Sequence, residues 1–255
     1  MTQTETPVVW QRVPQGWIEL AAFANDDIAD RWWQAYLAPA IGSVDSDTIA
    51  LMTRAFASAR EAVRDTPYAV AGIFPYLVDE PTVFFIGTAI LPAPEDARTA
   101  RTVSGLTGLV RFTDDPRTEP FIALDGRAGS ATLGIAVLED GTSVAAITGE
   151  VPLAVSPATS TAEATSAGTV FVVALSLDPN RLDELVPYAA LALDSTRLLS
   201  ADEFRNTPQG STGVRSELKF SGRRSATLFY VLPQQHRPDD LESLLPSTDL
   251  FVNTT

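Results

Sequence analysis

The chain has 255 residues, enough for one large hydrophobic core or two small ones, and none of them is cysteine. The lack of cysteine excludes disulfides, thiolate metal sites and a cysteine nucleophile, which fits a reducing compartment. The 32 acidic residues outnumber the 18 basic ones, and the net charge of -14 disfavours nucleic acid and anionic membrane surfaces as partners.

The start of the sequence and its longest apolar stretch bear on location. Residues 1–7 are polar and include Glu5, so they lack the basic start and the apolar run of a secretory signal. Residues 68–91 are rich in apolar side chains, but glycine, proline and acidic residues interrupt them, which is not the pattern of a membrane-spanning helix. We therefore expect a cytoplasmic protein with no membrane partner.

The spacing of apolar residues predicts two helices early in the chain. The first can be capped by residues 25–26 and extends to Pro39. The second follows residues 46–47 and is expected to end at Asp65, because Pro67 restricts the residue before it.

Three further helices are predicted later in the chain. Residues 97–109 follow two prolines but include two glycines, which weaken a helix. Residues 181–199 carry apolar side chains at helical spacing, with Pro187 near the beginning, which predicts a late start or a kink. A short helix is predicted at 239–245.

Apolar runs predict strands over most of the remaining chain. Residues 8–13 and 17–20 are separated by a proline and a glycine, a turn signal that predicts an opening hairpin. Residues 68–77 and 82–91 predict a long hairpin that is apolar on both faces, as in a sheet covered by helices. Further strands are predicted at 121–124, 132–138, 144–148, 151–155 and 169–177, a C-terminal hairpin at 214–220 and 226–232, and loops at 114–119 and 156–168.

Together these elements predict an α+β fold, a twisted, mainly antiparallel sheet backed by helices with a C-terminal β-hairpin extension. We expect residues 1–200 to form one domain, and residues 201–255 to form a hairpin and tail packed on it. The loop 156–168, built mostly of Ser, Thr and Ala, is expected to be the most mobile stretch.

The order of elements resembles that of small actinobacterial domains of the Mog1 and PsbP type. The resemblance covers residues 8–199 and includes the Pro-x-Gly-Trp motif at 14–17 and the final strand 170–177 that leads into the last helix. It implies a twisted antiparallel sheet with the last helix packed on it. It also implies a binding or scaffolding role, because such domains generally serve as accessory or assembly factors and share no catalytic residues. The helical stretch 25–63 is longer than this pattern needs, and 202–255 has no counterpart in it.

No motif in the sequence predicts catalysis, a cofactor or a metal site. His236, the only histidine, lies in a polar turn, where an exposed loop residue is a simpler interpretation than the base of a Ser/His/Asp triad. The glycines within 126–134 are spaced irregularly, unlike those of a phosphate-binding loop. The acidic pairs at 26–27, 114–115 and 239–240 fit helix caps or solvated turns better than a divalent cation site, because successive side chains do not point at one position.

Two adjacent tryptophans are candidates for contacting a partner. Trp32 and Trp33 follow each other on one predicted helix, so both cannot face a narrow core and one is expected to be partly exposed. Either a wide core groove takes both rings, or one ring is an anchor for a partner protein.

A local basic cluster in the predicted C-terminal hairpin interrupts the acidic chain. It is either a solvated strand face or a contact for an acidic partner, including a second copy of this chain. Its members are Arg215, Lys219, Arg223 and Arg224.

The sequence therefore predicts a non-enzymatic interaction or assembly module that binds another protein or itself and uses no cofactor. The alternatives are a structural component of a larger particle and a hydrolase with an unrecognised site.

Overall fold

A computed structural model describes residues 8–14, 16–23, 25–65, 68–76, 82–91, 110–113, 115–138, 141–155, 168–199, 202–203, 216–220, 223–227 and 229–233. The fold is α+β, a mainly antiparallel sheet backed by helices with a C-terminal hairpin, and this confirms the predicted fold class. Within these residues, no helix is both long and apolar enough to cross a membrane.

Most described strands belong to one large sheet. The strands in chain order are β1 (Val8–Pro14), β2 (Ile18–Glu19), β3 (Tyr68–Tyr76), β4 (Thr82–Leu91), β5 (Arg111–Phe112), β6 (Arg117–Ile122), β7 (Ala128–Val137), β8 (Ser143–Pro152), β9 (Ala154–Val155), β10 (Thr169–Ser176), β11 (Arg197–Leu199), β12 (Ser216–Phe220), β13 (Arg223–Thr227) and β14 (Phe229–Pro233). The large sheet has the order β2-β3-β4-β10-β8-β7-β5, and β6 pairs with β7 at the same edge as β5. All these pairings are antiparallel.

A second, smaller sheet joins the two ends of the described chain. Its order is β14-β1-β11-β9, and β9 and β11 form the parallel pair within it. The strands β12 and β13 form a separate antiparallel hairpin.

The two predicted N-terminal hairpins have different outcomes. The long hairpin is confirmed, since β3 and β4 pair antiparallel from Tyr68 to Tyr76. The opening hairpin is wrong, because β1 pairs with β11 and β14 whereas β2 pairs with β3. The turn between β1 and β2 therefore carries the chain from one sheet to the other. The pairing of β1 is reinforced by its Gln11 side chain, which accepts a buried hydrogen bond of 2.9 Å from the Thr196 hydroxyl.

Two strand predictions in the middle of the chain are corrected. The predicted strands 144–148 and 151–155 belong largely to one strand, β8, in which Gly149 stays paired and allows Leu193 to pack closely on the backbone. The predicted loop 114–119 already contains the start of β6, because residues from Arg117 onward pair with β7.

The predicted C-terminal hairpin is also divided differently. Its second arm, predicted at 226–232, is split between β13, which pairs with β12, and β14, which pairs with β1. The predicted run 226–232 is therefore divided between two strands, each of which pairs with a different partner strand. The predicted helices 97–109 and 239–245 and residues 156–167 of the predicted mobile loop lie outside the described residues.

The two N-terminal helices lie where the sequence predicts them. Helix α1 (Asp26–Leu37) begins with Asn25, whose side chain accepts a 3.0 Å hydrogen bond from the Ile28 amide. Helix α2 spans Ser46–Asp65, and its cap is Asp45, just before the predicted residues 46–47; the Asp45 carboxylate accepts a 2.8 Å hydrogen bond from the Thr48 amide.

The last described long helix, α3 (Leu182–Ser195), follows a short 3-10 turn at Pro179–Arg181 and contains Pro187. It ends before the predicted residue 199, because the chain becomes extended at Thr196 and then forms β11. The Thr196 hydroxyl oxygen lies 2.6 Å from the Ala192 carbonyl oxygen at this helix end, so its single hydrogen is shared between this carbonyl and the Gln11 side chain.

Helices cover both faces of the large sheet. Side chains alternate along β4, so Val83 and Phe84 lie on opposite faces. Phe84 belongs to the core beneath α3, which includes Leu185, whereas Val83 packs with α1 and α2. The turn between β6 and β7 lies against the buried C-terminal end of α3, because the Leu124 amide donates a hydrogen bond to the Asp194 carboxylate.

Candidate interaction surface

The predicted tryptophan anchor is buried. Trp32 is 3% exposed and Trp33 is 1% exposed, so the expectation that one of them is partly exposed is wrong. Trp33 stacks on Phe56 with 4.5 Å between ring centroids, and Trp32 lies 5.4 Å from Phe23. Both rings are covered because α1 packs between α2 and the segment that precedes α1, which contains Phe23. This arrangement is the wide core groove that the sequence predicts as one alternative. A partner-binding role for the two residues stays a prediction, and their burial does not support it.

The predicted basic cluster lies partly on β12 and β13. In the backbone register Lys219 is directly opposite Arg224, and Phe220 is opposite Arg223. Arg215 lies outside the described residues. The register thus places two basic residues on one rung of the hairpin, and their role in partner binding stays a prediction.

The weaker chemical candidates form no site in the described part of the chain. His236 and the acidic pair 239–240 lie outside it. Asp26 is in the first turn of α1 and makes 2.6 Å ion pairs with Arg60 and Arg64. Among the described residues, no group of three histidine, cysteine or acidic side chains is arranged to hold a metal ion.

The turn between β6 and β7 exposes two large apolar side chains. Ile122 is 60% exposed and Leu124 is 65% exposed, whereas Phe121 and Ala123 are buried. Gly126 closes the turn with a φ of 88°, and its amide donates a 2.9 Å hydrogen bond to the Ala123 carbonyl. We call residues 122–127 the hairpin tip.

Arg127 fixes the hairpin tip to the body of the protein. Its Nε donates to both carboxylate oxygens of Asp125 at 2.8 and 2.9 Å. Its Nη1 and Nη2 donate to the carbonyl oxygens of Pro152 and Asp194, each at 2.7 Å. The Asp194 carboxylate in turn accepts a 2.6 Å hydrogen bond from the Leu124 amide. The exposed apolar side chains therefore stand on a turn that is hydrogen-bonded to the end of α3.

A group of cationic and aromatic side chains lies beside this attachment. Trp10 and Arg197 are directly opposite each other on β1 and β11, and Arg12 lies two residues along β1. The guanidinium carbons of Arg197 and Arg12 are 5.0 and 5.7 Å from the Trp10 ring centroid. We call these three residues the arginine–tryptophan ladder.

Arg197 of the arginine–tryptophan ladder interacts electrostatically with charged residues of the hairpin tip. Burial and then repulsion from Arg12 hold the pKa of Arg197 below its usual range, and Arg127 acts in the same direction. Asp125 and Asp194 oppose this effect. Among the residues that the structure describes, this region combines three guanidinium groups and two carboxylates, on a chain of net charge -14.

Sequence reasoning missed both parts of this surface. The sequence predicts a strand at 121–124, and the alternation of a strand places Ile122 and Leu124 on the side opposite Phe121. An apolar pair on the outer positions of an edge strand was the available signal. The arginines of the surface are distant in sequence, and only the pairing of β1 with β11 brings two of them to one ring.

Comparisons with known proteins do not identify a family for this chain. No family model matches it, and no curated protein matches it. A solved structure with partial likeness is that of LpqN, described as involved in cell envelope biogenesis of Mycobacterium tuberculosis. It has a TM-score of 0.36 and 13% sequence identity, over 77% of this chain and 86% of that chain. Likeness at this level carries no functional inference.

Proposed function

We propose that this chain is a non-enzymatic interaction module that binds another protein through the hairpin tip. The observation that supports this proposal is the exposure of Ile122 and Leu124 on a turn that Arg127 and Asp194 hold in place. Apolar side chains that are already ordered lose little conformational entropy on binding, so most of their buried area contributes to affinity. Large apolar residues clustered on a monomer surface are typical of interaction sites.

The edge position of β6 favours contact through side chains over addition of a partner strand. β6 pairs with β7, and Pro120 lies in its middle without an amide hydrogen to donate. Proline is a common device that prevents pairing at a sheet edge. The partner is therefore expected to cover the exposed side chains at the tip.

The proposal includes a cytoplasmic location and a relationship to domains of the Mog1 and PsbP type. The lack of cysteine supports a reducing compartment. The passage from β10 into α3, with α3 packed on the sheet, supports the relationship.

The test is affinity purification from the native host with quantitative mass spectrometry. The tagged full chain is compared with the Ile122→Ser/Leu124→Ser double variant and with Ile41→Ser, a matched control because Ile41 is 69% exposed at another place. We expect a protein recovered in near-stoichiometric amount with the unmodified chain and with Ile41→Ser. Recovery with the double variant is expected to fall by about tenfold or more, the loss typical of central interface residues.

Equal recovery of the same partner with the double variant would contradict the proposal. Failure to recover any stoichiometric partner, including a second copy of the chain detected by sedimentation, would also contradict it. Unfolding of the double variant by urea is the control for its integrity, since substitutions at exposed positions are expected to change the free energy of unfolding little.

A further inference from the structure

Within the described part of the chain, the charge of Arg197 has no carboxylate in ion-pair contact. Arg197 donates from its Nε to the Ser195 carbonyl at 3.2 Å. Among the described residues, no acceptor lies within hydrogen-bond distance of its Nη groups, and no carboxylate lies within ion-pair distance. Burial disfavours the charge of a guanidinium that has no carboxylate partner, and a bound anion would stabilise that charge.

Trp10 adds a second unsatisfied donor at the same place. The residue is buried, and its indole N–H has no acceptor among the residues that the structure describes. Buried donors are nearly always paired in native proteins, and each exception calls for an explanation such as a ligand or a bound water. The ring also keeps the two guanidinium groups in place by cation–π contact.

The chemistry of these donors selects the ligand. A guanidinium with free terminal N–H groups matches the two oxygens of a carboxylate in a planar, bidentate arrangement. A polyanion such as nucleic acid or an anionic membrane is repelled by the whole molecule, whose net charge is -14. A single acidic side chain is less affected, because charges farther away than about 8 Å are screened at physiological salt.

We propose that the arginine–tryptophan ladder binds a carboxylate from an acidic segment of a partner protein, and that apolar residues of the same segment lie on the hairpin tip. This inference rests on the proposed function and specifies the chemistry of its partner. The segment carries an aspartate or glutamate next to large apolar residues. The acidic residue determines which segments bind, whereas the apolar residues supply most of the affinity.

The test is selection of a display library of random dodecapeptides against the full chain. We expect the selected peptides to share an acidic residue flanked by apolar ones. Their affinity, measured by titration of synthetic copies, is expected to fall about 10- to 100-fold for Arg197→Gln, the loss typical of a charged hydrogen-bonded pair. Arg111→Gln, at an exposed position on β5, is the matched control and is expected to leave affinity unchanged.

Two further readouts separate binding at the ladder from a general structural effect. The Trp10 indole and Arg197 Nε–H signals in NMR spectra are expected to shift on addition of peptide. The same peptide with asparagine in place of its acid is expected to bind weakly and to leave these two signals unchanged. Arg197→Lys keeps the charge but not the bidentate geometry, so it is expected to restore affinity only in part.

The outcomes distinguish this inference from the proposed function. If selected peptides lose affinity for the Ile122→Ser/Leu124→Ser variant but bind Arg197→Gln normally, the carboxylate site is overturned and the interaction surface stands. Selected peptides that share no acidic residue would likewise overturn the carboxylate site and leave the interaction surface standing. Both proposals are overturned if no peptide is enriched, or if the selected peptides bind both variants with the same affinity as the unmodified chain.

Discussion

Glu19 is a carboxylate whose surroundings disfavour its charge. It lies on β2, accepts a 3.1 Å hydrogen bond from the Trp17 indole and a 3.4 Å one from the Ala71 amide. Burial raises the pKa of Glu19 to about 7 and outweighs these hydrogen bonds, which lower it. The folded protein therefore binds a proton at Glu19 more tightly than the unfolded chain does.

This pKa predicts a loss of stability as the pH rises. Between the ordinary glutamate value near 4.5 and about 7, the folded state holds more protons, so the free energy of unfolding falls with increasing pH and stays lower above that window. The fall attributable to Glu19 is at most about 3 kcal/mol. Urea unfolding of the chain and of Glu19→Gln at pH 5 and pH 8 measures it. The glutamine variant is expected to show the smaller difference between the two pH values, and an equal difference would contradict the assignment.

Arg127 is expected to contribute to stability well beyond its charge. Its hydrogen bonds to Asp125, Pro152 and Asp194 are lost together in Arg127→Ala, and the two carbonyl oxygens lose a donor. We expect a decrease of about 1 to 3 kcal/mol in the free energy of unfolding and faster amide exchange at Leu124. Arg111→Ala, on an exposed strand residue, is the control. Unchanged exchange at Leu124 would show that the tip does not depend on Arg127.

At the scale of elements, the cap of α1 is a feature that is visible in the sequence and present in the structure. Asn25→Ala removes the side-chain acceptor of the Ile28 amide and is expected to cost about 1 kcal/mol of stability. Asn25→Asp keeps an acceptor and adds a negative charge at the helix N-terminus, so it is expected to retain the stability. Thermal unfolding of the three proteins measures this, and equal midpoints for asparagine and alanine would contradict the role of the cap.

Signals confined to neighbouring residues predicted their elements well. Caps, helical periodicity and the long hairpin depend on contacts within about twenty residues, and α1, α2 and the pairing of β3 with β4 followed them. Signals that need a distant partner failed. The strand β1 pairs with β11 and β14, and nothing in the residues of β1 itself indicates those partners.

The candidate surface was hidden from sequence reasoning for the same reason. Trp32 and Trp33, one of which is predicted to be partly exposed, are covered by Phe23 and Phe56, which other parts of the chain supply. The residues that form the surface, Ile122, Leu124 and Arg197, are ordinary in their local context. Their significance arises from where the turn and the helix end meet.

At the scale of the whole molecule, excess negative charge should oppose compaction. With a net charge of -14, like charges repel more in the folded chain than in the expanded one. We expect the unfolding midpoint at pH 8 to rise when sodium chloride is increased from 0.01 to 0.3 M, because the screening length falls from about 30 Å to well below 10 Å. At pH 5, closer to the isoelectric point of 4.4, the rise is expected to be smaller. A midpoint that falls with salt at pH 8 would contradict this expectation.

The end of α3 joins the two sheets into one unit. Thr196 donates to Gln11 of β1, and the Arg12 amide of the same strand donates to the Ser195 hydroxyl at 3.0 Å. The hairpin tip attaches at the same helix end through Asp194. A proposed partner at the tip would therefore contact the place where both sheets and a helix come together.

The position of β10 between β4 and β8, and of β1 between β11 and β14, has a consequence for biosynthesis. During translation β4 is synthesised long before β10, which pairs with its free edge, and β1 is synthesised long before β11. At about 5 to 20 residues per second, this interval lasts on the order of ten seconds. During that time β4 is paired with β3 alone and β1 has neither of its partners, so these strand edges stay open to other chains until residue 199 and the strands after it have left the ribosome.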